Sequence, residues 1–185
     1  MEVIETTLPG VLVLKPKRHG DMRGFFCESW NRKRMHEAGL DVDFVQDNMS
    51  LSTEPGTLRG LHFQAPPHAQ AKLVGCLRGR FLDAVVDARR GSPTYGQHMA
   101  IELSFENGLQ LFVPAGFLHG FVTREPDTVI FYKVDNHYSA TADGAVRWDS
   151  CGIDWGLDAG PVLSGKDSVA PAFADFDSPF RWEAA

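Results

Sequence analysis

The chain has 185 residues, 43 % of them hydrophobic, and a formal net charge of −6. Residues 1–185 fit one domain with a sizeable core, and this apolar content excludes a disordered segment. The acidic balance excludes non-specific nucleic-acid binding, which needs a basic face, but leaves room for one anionic ligand held by a few arginines.

In chain order, the first residues, Met1 to Glu5, are acidic and lack the apolar stretch of a signal peptide. Nowhere does an apolar run approach the ~20 residues of a membrane span. Short β-type runs follow at 11–14, 25–29, 44–47, 58–63, 72–77, 80–87, 98–103, 109–113, 121–123, 129–134 and 145–148. Turn residues such as Arg78-Gly79 and Pro114-Ala115-Gly116 separate most of them. Many short strands at this spacing predict an all-β sandwich or barrel with a few short helices. One helix is expected over 31–38, with Asn31 as N-cap and Gly39 in the left-handed position after its end. Beyond Trp155 the periodicity fades into irregular structure with a short helical turn. The three cysteines, Cys27, Cys76 and Cys151, form no CxxC pair, and an odd number fits a reducing cytoplasm better than a disulfide framework.

Two strands are polar where a plain core should be apolar. In Leu58-Arg59-Gly60-Leu61-His62-Phe63-Gln64, a regular strand places His62 on the face of Gly60 and Gln64 and turns Arg59 away. A bulge at Gly60 would bring Arg59 and His62 to one site. In 81–87, Asp83, Val85 and Asp87 share a face. Either that face is solvated, the simpler reading, or Asp83 is buried and must be paired. A contact from Lys72 to Asp83 across the Arg78-Gly79 turn is one such pairing. Pro114-Ala115-Gly116-Phe117-Leu118-His119 fits the second cupin motif, P-x-G-x-x-H. The His-x-His pair of metal cupins is broken, since His62 is followed by Phe63-Gln64. Two histidines are too few for a metal site without other ligands, so the reading is a cupin-type jelly-roll barrel with no metal.

Taken together, the segments GDMRGFFCES (20–29), FVQDNMS (44–50), LRGLHFQ (58–64), AQAKLV (69–74), FLDAVVDARRGSPTYGQ (81–97), VPAGFLHGFV (113–122), FYKVDNHYS (131–139) and LSGKD (163–167) resemble the dTDP-4-dehydrorhamnose 3,5-epimerase family, in order and over nearly the whole chain. The resemblance implies a homodimer that exchanges an N-terminal segment and acts on a dTDP-4-keto-6-deoxy-hexose. It implies no cofactor, no nucleic-acid partner and no membrane. It assigns His62 as general base, Asp167 as the carboxylate paired with that base, Lys72 as the cation beside the sugar oxygens and Tyr132 as proton donor. It places Tyr138 against thymine, and makes Arg23, Glu28, Gln46, Asp47, Asn48, Arg59, His119, Asp143 and Lys166 nucleotide- or sugar-contacting positions. Asp143 stands where the family commonly has glutamate, and Met49 where it usually has histidine.

These residue types suit the reaction. A 4-keto group acidifies the hydrogens on carbons 3 and 5. Inversion then needs a base near neutral pKa, a cation for the enolate oxygen and an acid on the opposite face of the ring. Rival readings are an epimerase of carbon 3 or carbon 5 alone, a non-catalytic sugar-nucleotide-binding cupin, and a metal-dependent cupin oxygenase.

Overall fold

In the computed structural model, which describes residues 1–183, thirteen strands alternate with tight turns. They are β1 (Glu2–Glu5), β2 (Leu12–Lys15), β3 (Arg18–Asp21), β4 (Gly24–Cys27), β5 (Gln46–Ser52), β6 (Leu58–Gln64), β7 (Lys72–Arg78), β8 (Arg80–Asp87), β9 (His98–Ser104), β10 (Gln110–Val113), β11 (Phe117–Thr123), β12 (Thr128–Val134) and β13 (Asp143–Ala145). Three short helical turns join them: α1 (Arg32–Glu37), α2 (Gly165–Ser168) and a 3-10 turn at Phe173–Asp175. The strands form a six-stranded sheet in the order β1-β2-β10-β7-β12-β5, a five-stranded sheet in the order β13-β6-β11-β8-β9, and the separate hairpin β3-β4. Every strand pairing in the three sheets is antiparallel. This is the jelly-roll barrel expected from the run of short strands.

Strand alternation sorts the apolar side chains into three layers. Val13, Val74, Leu111 and Ile130 of one sheet meet Phe81, Val85, Leu103, Phe117 and Phe121 of the other in the space between them. Leu58, Leu61, Val86, Leu118 and Val122 point out of the five-stranded sheet and are covered by Ile153, Trp155 and Phe180. Leu14, Leu73 and Phe112 point out of the six-stranded sheet beneath Met35 and Leu40. Full burial of each such side chain contributes roughly 1.5–3 kcal/mol. The tail beyond Trp155 thus closes one outer face, and α1 with the segment after it closes the other.

Helix α1 forms as its caps dictate: the Asn31 side chain accepts the Arg34 N–H, and Gly39, at φ +83°, donates its N–H to His36 O at 2.9 Å. Three expectations need correction. Strand β5 runs 46–52 and not 44–47, because its polar residues Asn48, Ser50 and Ser52 face inward while Met49 and Leu51 are exposed. Strand β13 starts at Asp143 and ends at Ala145, and β1 and β3 were not expected from their charged compositions. The Arg78-Gly79 turn carries the chain from one sheet to the other, so β7 and β8 do not pair as a hairpin.

The register of β6 against β11 slips at Gly60. His62 lies opposite His119 and Arg59 opposite Phe121, so three steps along β6 match two along β11. The slip turns Arg59 and His62 to the same inward side while Leu58 and Leu61 stay outside. Gly60 has φ +137°, and a Cβ there would lie 2.5 Å from Gly120 Cα. Gly60→Ala is therefore expected to destabilise the fold by about 2–4 kcal/mol through backbone strain and the clash. A denaturant midpoint equal to that of the wild type would show that the bulge can relax.

Candidate active site

Side chains from both sheets line a cavity of about 280 Å³. Gln46, Asn48, Lys72 and Tyr132 line it from the six-stranded sheet, His62, Gln64 and Asp143 from the five-stranded one. Tyr138 and Lys166 complete it from the connections. A second cavity, about 270 Å³ between Phe25, Cys27, Phe105 and Phe131, has no histidine or carboxylate in its wall.

Two histidines face inward, and each is held by a carboxylate. His62 Nε2 lies 2.5 Å from Asp167 Oδ1, and His119 Nε2 lies 2.6 Å from Asp83 Oδ1. They differ in access: the His62 side chain is 32 % exposed, that of His119 only 8 %. His62 lines the cavity and can reach a substrate proton, whereas His119 is buried and not part of its wall. Burial drives the Asp167 carboxyl upward, but bonds from His62, Ser164 and the Gly60 N–H outweigh it and hold the group below its ordinary value. Asp167 is thus an anion, fit to orient the imidazole and balance its charge. Asp83 is fully buried, so the solvated-face reading is wrong. Its partner is His119 on the neighbouring strand β11, and no Lys72–Asp83 ion pair forms among the described residues.

Opposite His62 stand a cation and a phenol. Burial lowers the Lys72 ammonium to about 8, while the charges of Asp83 and Asp143 support it and that of Lys166 opposes it. At neutral pH it keeps its proton, poised close to losing it. Tyr132 is raised above its ordinary value by burial, with the Arg59 charge pulling the other way, so it is a protonated donor. Base and acid therefore approach the cavity from different sheets.

At the rim, Asp143 Oδ2 accepts from Lys166 Nζ at 2.5 Å and lies 3.5 Å from the Tyr138 hydroxyl. Two glutamines fix the loop that carries Tyr138. Gln64 donates to His137 O and accepts from Ser139 N, and Gln46 accepts from Tyr138 N. Arg59 sits beside His62 in an adjoining hollow and donates to Leu51 O. Four candidates are not brought to the cavity of their own chain. His119 is buried against Asp83 and is not part of its lining. The Asp47 side chain points out of the barrel and pairs with Lys133 at 2.8 Å. Arg23 is paired with Asp21 on the exposed β3-β4 hairpin, and Glu28 with Arg34. Gln64 and Gln70 are further wall residues outside the set the resemblance implies, and the alternation of β6 places Gln64 beside His62. No group of three or more His, Cys, Asp or Glu side chains is arranged to hold a metal ion among the described residues.

A sequence model described as dTDP-4-dehydrorhamnose 3,5-epimerase matches residues 5–175. The chain belongs to the dTDP-4-dehydrorhamnose 3,5-epimerase family. It is 49 % identical over 174 residues to the protein of that name from Sinorhizobium fredii, covering 93 % of this chain and 89 % of that one. A solved family structure from Bacillus anthracis with TDP and PPi bound is 46 % identical with a TM-score of 0.91, over 93 % of this chain and 99 % of that one. One from Legionella pneumophila in complex with dTDP-4-keto-L-rhamnose gives a TM-score of 0.94 at 38 % identity, over 99 % of each chain.

The charge balance around Lys72 can be tested without turnover. In ¹³C-labelled protein, the carbon beside the Lys72 ammonium is expected to titrate near pH 8, well below the ordinary lysine range. Asp83→Asn removes a supporting negative charge, so the midpoint should fall further. Titration of Lys72 together with the surface lysines would contradict the enclosed geometry.

Proposed function

We propose that the protein epimerises dTDP-4-dehydro-6-deoxy-D-glucose at carbons 3 and 5 to dTDP-4-dehydro-L-rhamnose, the step that commits this sugar nucleotide to dTDP-L-rhamnose. The observation that carries the proposal is the placement of His62 and Tyr132 on facing sheets around one cavity, with Lys72 beside them. His62 takes the proton from carbon 3 or carbon 5. The C–H electron pair becomes the enolate double bond, and the negative charge settles on the 4-oxygen near Lys72. Tyr132 returns a proton to the other face of that carbon. The imidazolium then passes its proton to solvent and the phenolate regains one, so no redox step occurs and no cofactor is consumed. Family membership and the bound dTDP-4-keto-L-rhamnose of the Legionella relative support this substrate class.

Nucleotide binding follows from the remaining cations. Arg59 offers a planar fork of donors to the pyrophosphate. Tyr138, 61 % exposed at the rim, offers a ring face to thymine. Gln46, Asn48, Asp143 and Lys166 bind the sugar side, with Asp47 contributing through the backbone of the same strand, while His119, buried against Asp83, makes no direct contact. Arg23 and Glu28 would serve a second copy of the chain. Their hairpin carries the exposed apolar residues Met22, Phe25 and Phe26 away from this cavity, which is the composition of an interface. The working protein is then a homodimer of single-domain subunits, and a monomer in sedimentation at micromolar concentration would contradict it. A reducing cytoplasm suits Cys76 and Cys151, free thiols that burial raises to about 11 and so makes poor nucleophiles.

In D2O the wild type is expected to place deuterium at both carbon 3 and carbon 5, since each inverted centre receives a solvent proton. His62→Asn should abolish both exchanges. Labelling at carbon 3 alone would make it a single-site epimerase. No exchange by a folded protein that binds dTDP would leave it a sugar-nucleotide-binding module. The alkaline limb of kcat/KM should fall near pH 8, where Lys72 loses its charge, and a limb only above pH 10 would remove Lys72 from the oxyanion role.

A further inference from the structure

The hydroxyl of Ser164 touches the Asp167 carboxylate of the acid–base pair. Ser164 precedes α2 as its N-cap, and its Oγ accepts the Asp167 N–H at 3.1 Å. The same Oγ lies 2.9 Å from Asp167 Oδ2, and the hydroxyl proton points there, because a carboxylate only accepts. Asp167 Oδ1 is taken by His62 Nε2 at 2.5 Å. Each oxygen of this carboxylate, itself only 1 % exposed, therefore has one side-chain partner.

The terminal torsion of an aspartate is broad and nearly two-fold, so one bond to His62 does not fix the carboxylate plane. The Gly60 N–H and the Ser164 hydroxyl supply the further bonds that do, and the hydroxyl is the side-chain donor to Oδ2. The element that carries Asp167 is only four residues long, too short to be rigid by itself. Its other anchor is the pair Lys166–Asp143 at the cavity rim. We propose that Ser164 is a positioning residue for the base. Its hydroxyl locks the plane of Asp167, which in turn holds the tautomer and ring orientation of His62 that proton abstraction needs. This deepens the functional reading above and rests on His62 being the base.

Capping and positioning are separable. Glycine is a tolerated N-cap, so Ser164→Gly keeps most of the cap but removes the donor to Oδ2. Ser164→Thr keeps both. The expected result for S164G is a kcat lower by about tenfold or more, the scale of one lost bond to a charged group. KM for the keto sugar should stay within about twofold and the melting temperature near that of wild type, with S164T close to wild type throughout. Such a loss in kcat and kcat/KM alike marks an interaction used in the transition state.

A second readout needs no turnover. In ¹⁵N-histidine-labelled protein saturated with dTDP, the downfield proton between His62 and Asp167 should sharpen or broaden with the hydroxyl: present in wild type and S164T, broadened or lost in S164G. Wild-type kcat and an unchanged resonance in S164G would overturn the proposal and leave Ser164 as a cap. If S164G does not fold, S164A against S164T makes the same comparison. A wild type without turnover whose resonance still follows the hydroxyl would remove the function and keep the coupling.

Discussion

The close approach of β6 to β11 at Gly60 and Gly120 is the contact on which the site depends. A Cβ on Gly60 would meet Gly120 Cα at 2.5 Å, and one on Gly120 would meet Arg59 O at 2.9 Å. With hydrogen at both positions the two backbones can close, and β6 gains one residue over its partner. A regular strand would send Arg59 and His62 to opposite faces. The extra residue sends both inward, one beside the other, and still leaves Leu58 and Leu61 in the outer layer. The Gly60 N–H is also one of the donors that hold Asp167 below its ordinary pKa, so the same irregularity aims the base and supports its partner.

The rest of the polar interior follows from the low dielectric of the barrel. An isolated charge there would shift its pKa until it became neutral, so each must have a partner. Asp83 binds His119, Asp167 binds His62 and Ser164, and Asp143 binds Lys166. Lys72 alone among these has no direct ion pair. It is stabilised through space by Asp83 and Asp143, which leaves its ammonium directed at the cavity and its pKa at about 8. A cation held this way is stronger toward an enolate oxygen than one already satisfied by a carboxylate.

The sequence was legible where side-chain period and chemistry agree. Strands β6 to β8 and β12, the capped helix α1 and the bulge at Gly60 could all be read from alternation, glycine and cap residues. The site pair His62–Asp167 was legible only through resemblance, because 105 residues separate the two and no local pattern joins them. Asp83 was misread for a physical reason. Alternation shows that it shares a face with Val85, but not that His119 arrives opposite to pair with it. Strand β5 was misplaced because it inverts the usual rule: its inward residues are polar, since they line a cavity, and its outward Met49 and Leu51 are apolar. Ser164 carried no signal of its own within LSGKD, and its bond to Asp167 Oδ2 exists only in three dimensions.

The central claim is that base and acid act from opposite faces of one sugar ring. It is tested most directly by following Tyr132→Phe in D2O by proton NMR. This change removes the donor on the six-stranded sheet and leaves His62, Asp167 and Lys72 in place. Deprotonation should continue, with His62 returning deuterium to the face it came from. The account predicts measurable exchange at the acidic carbons, while net epimer formation falls by about 10²- to 10⁴-fold, the range for losing a general acid. Inversion of both centres at the wild-type rate would contradict it, because the proton on the far face would then come from somewhere other than Tyr132.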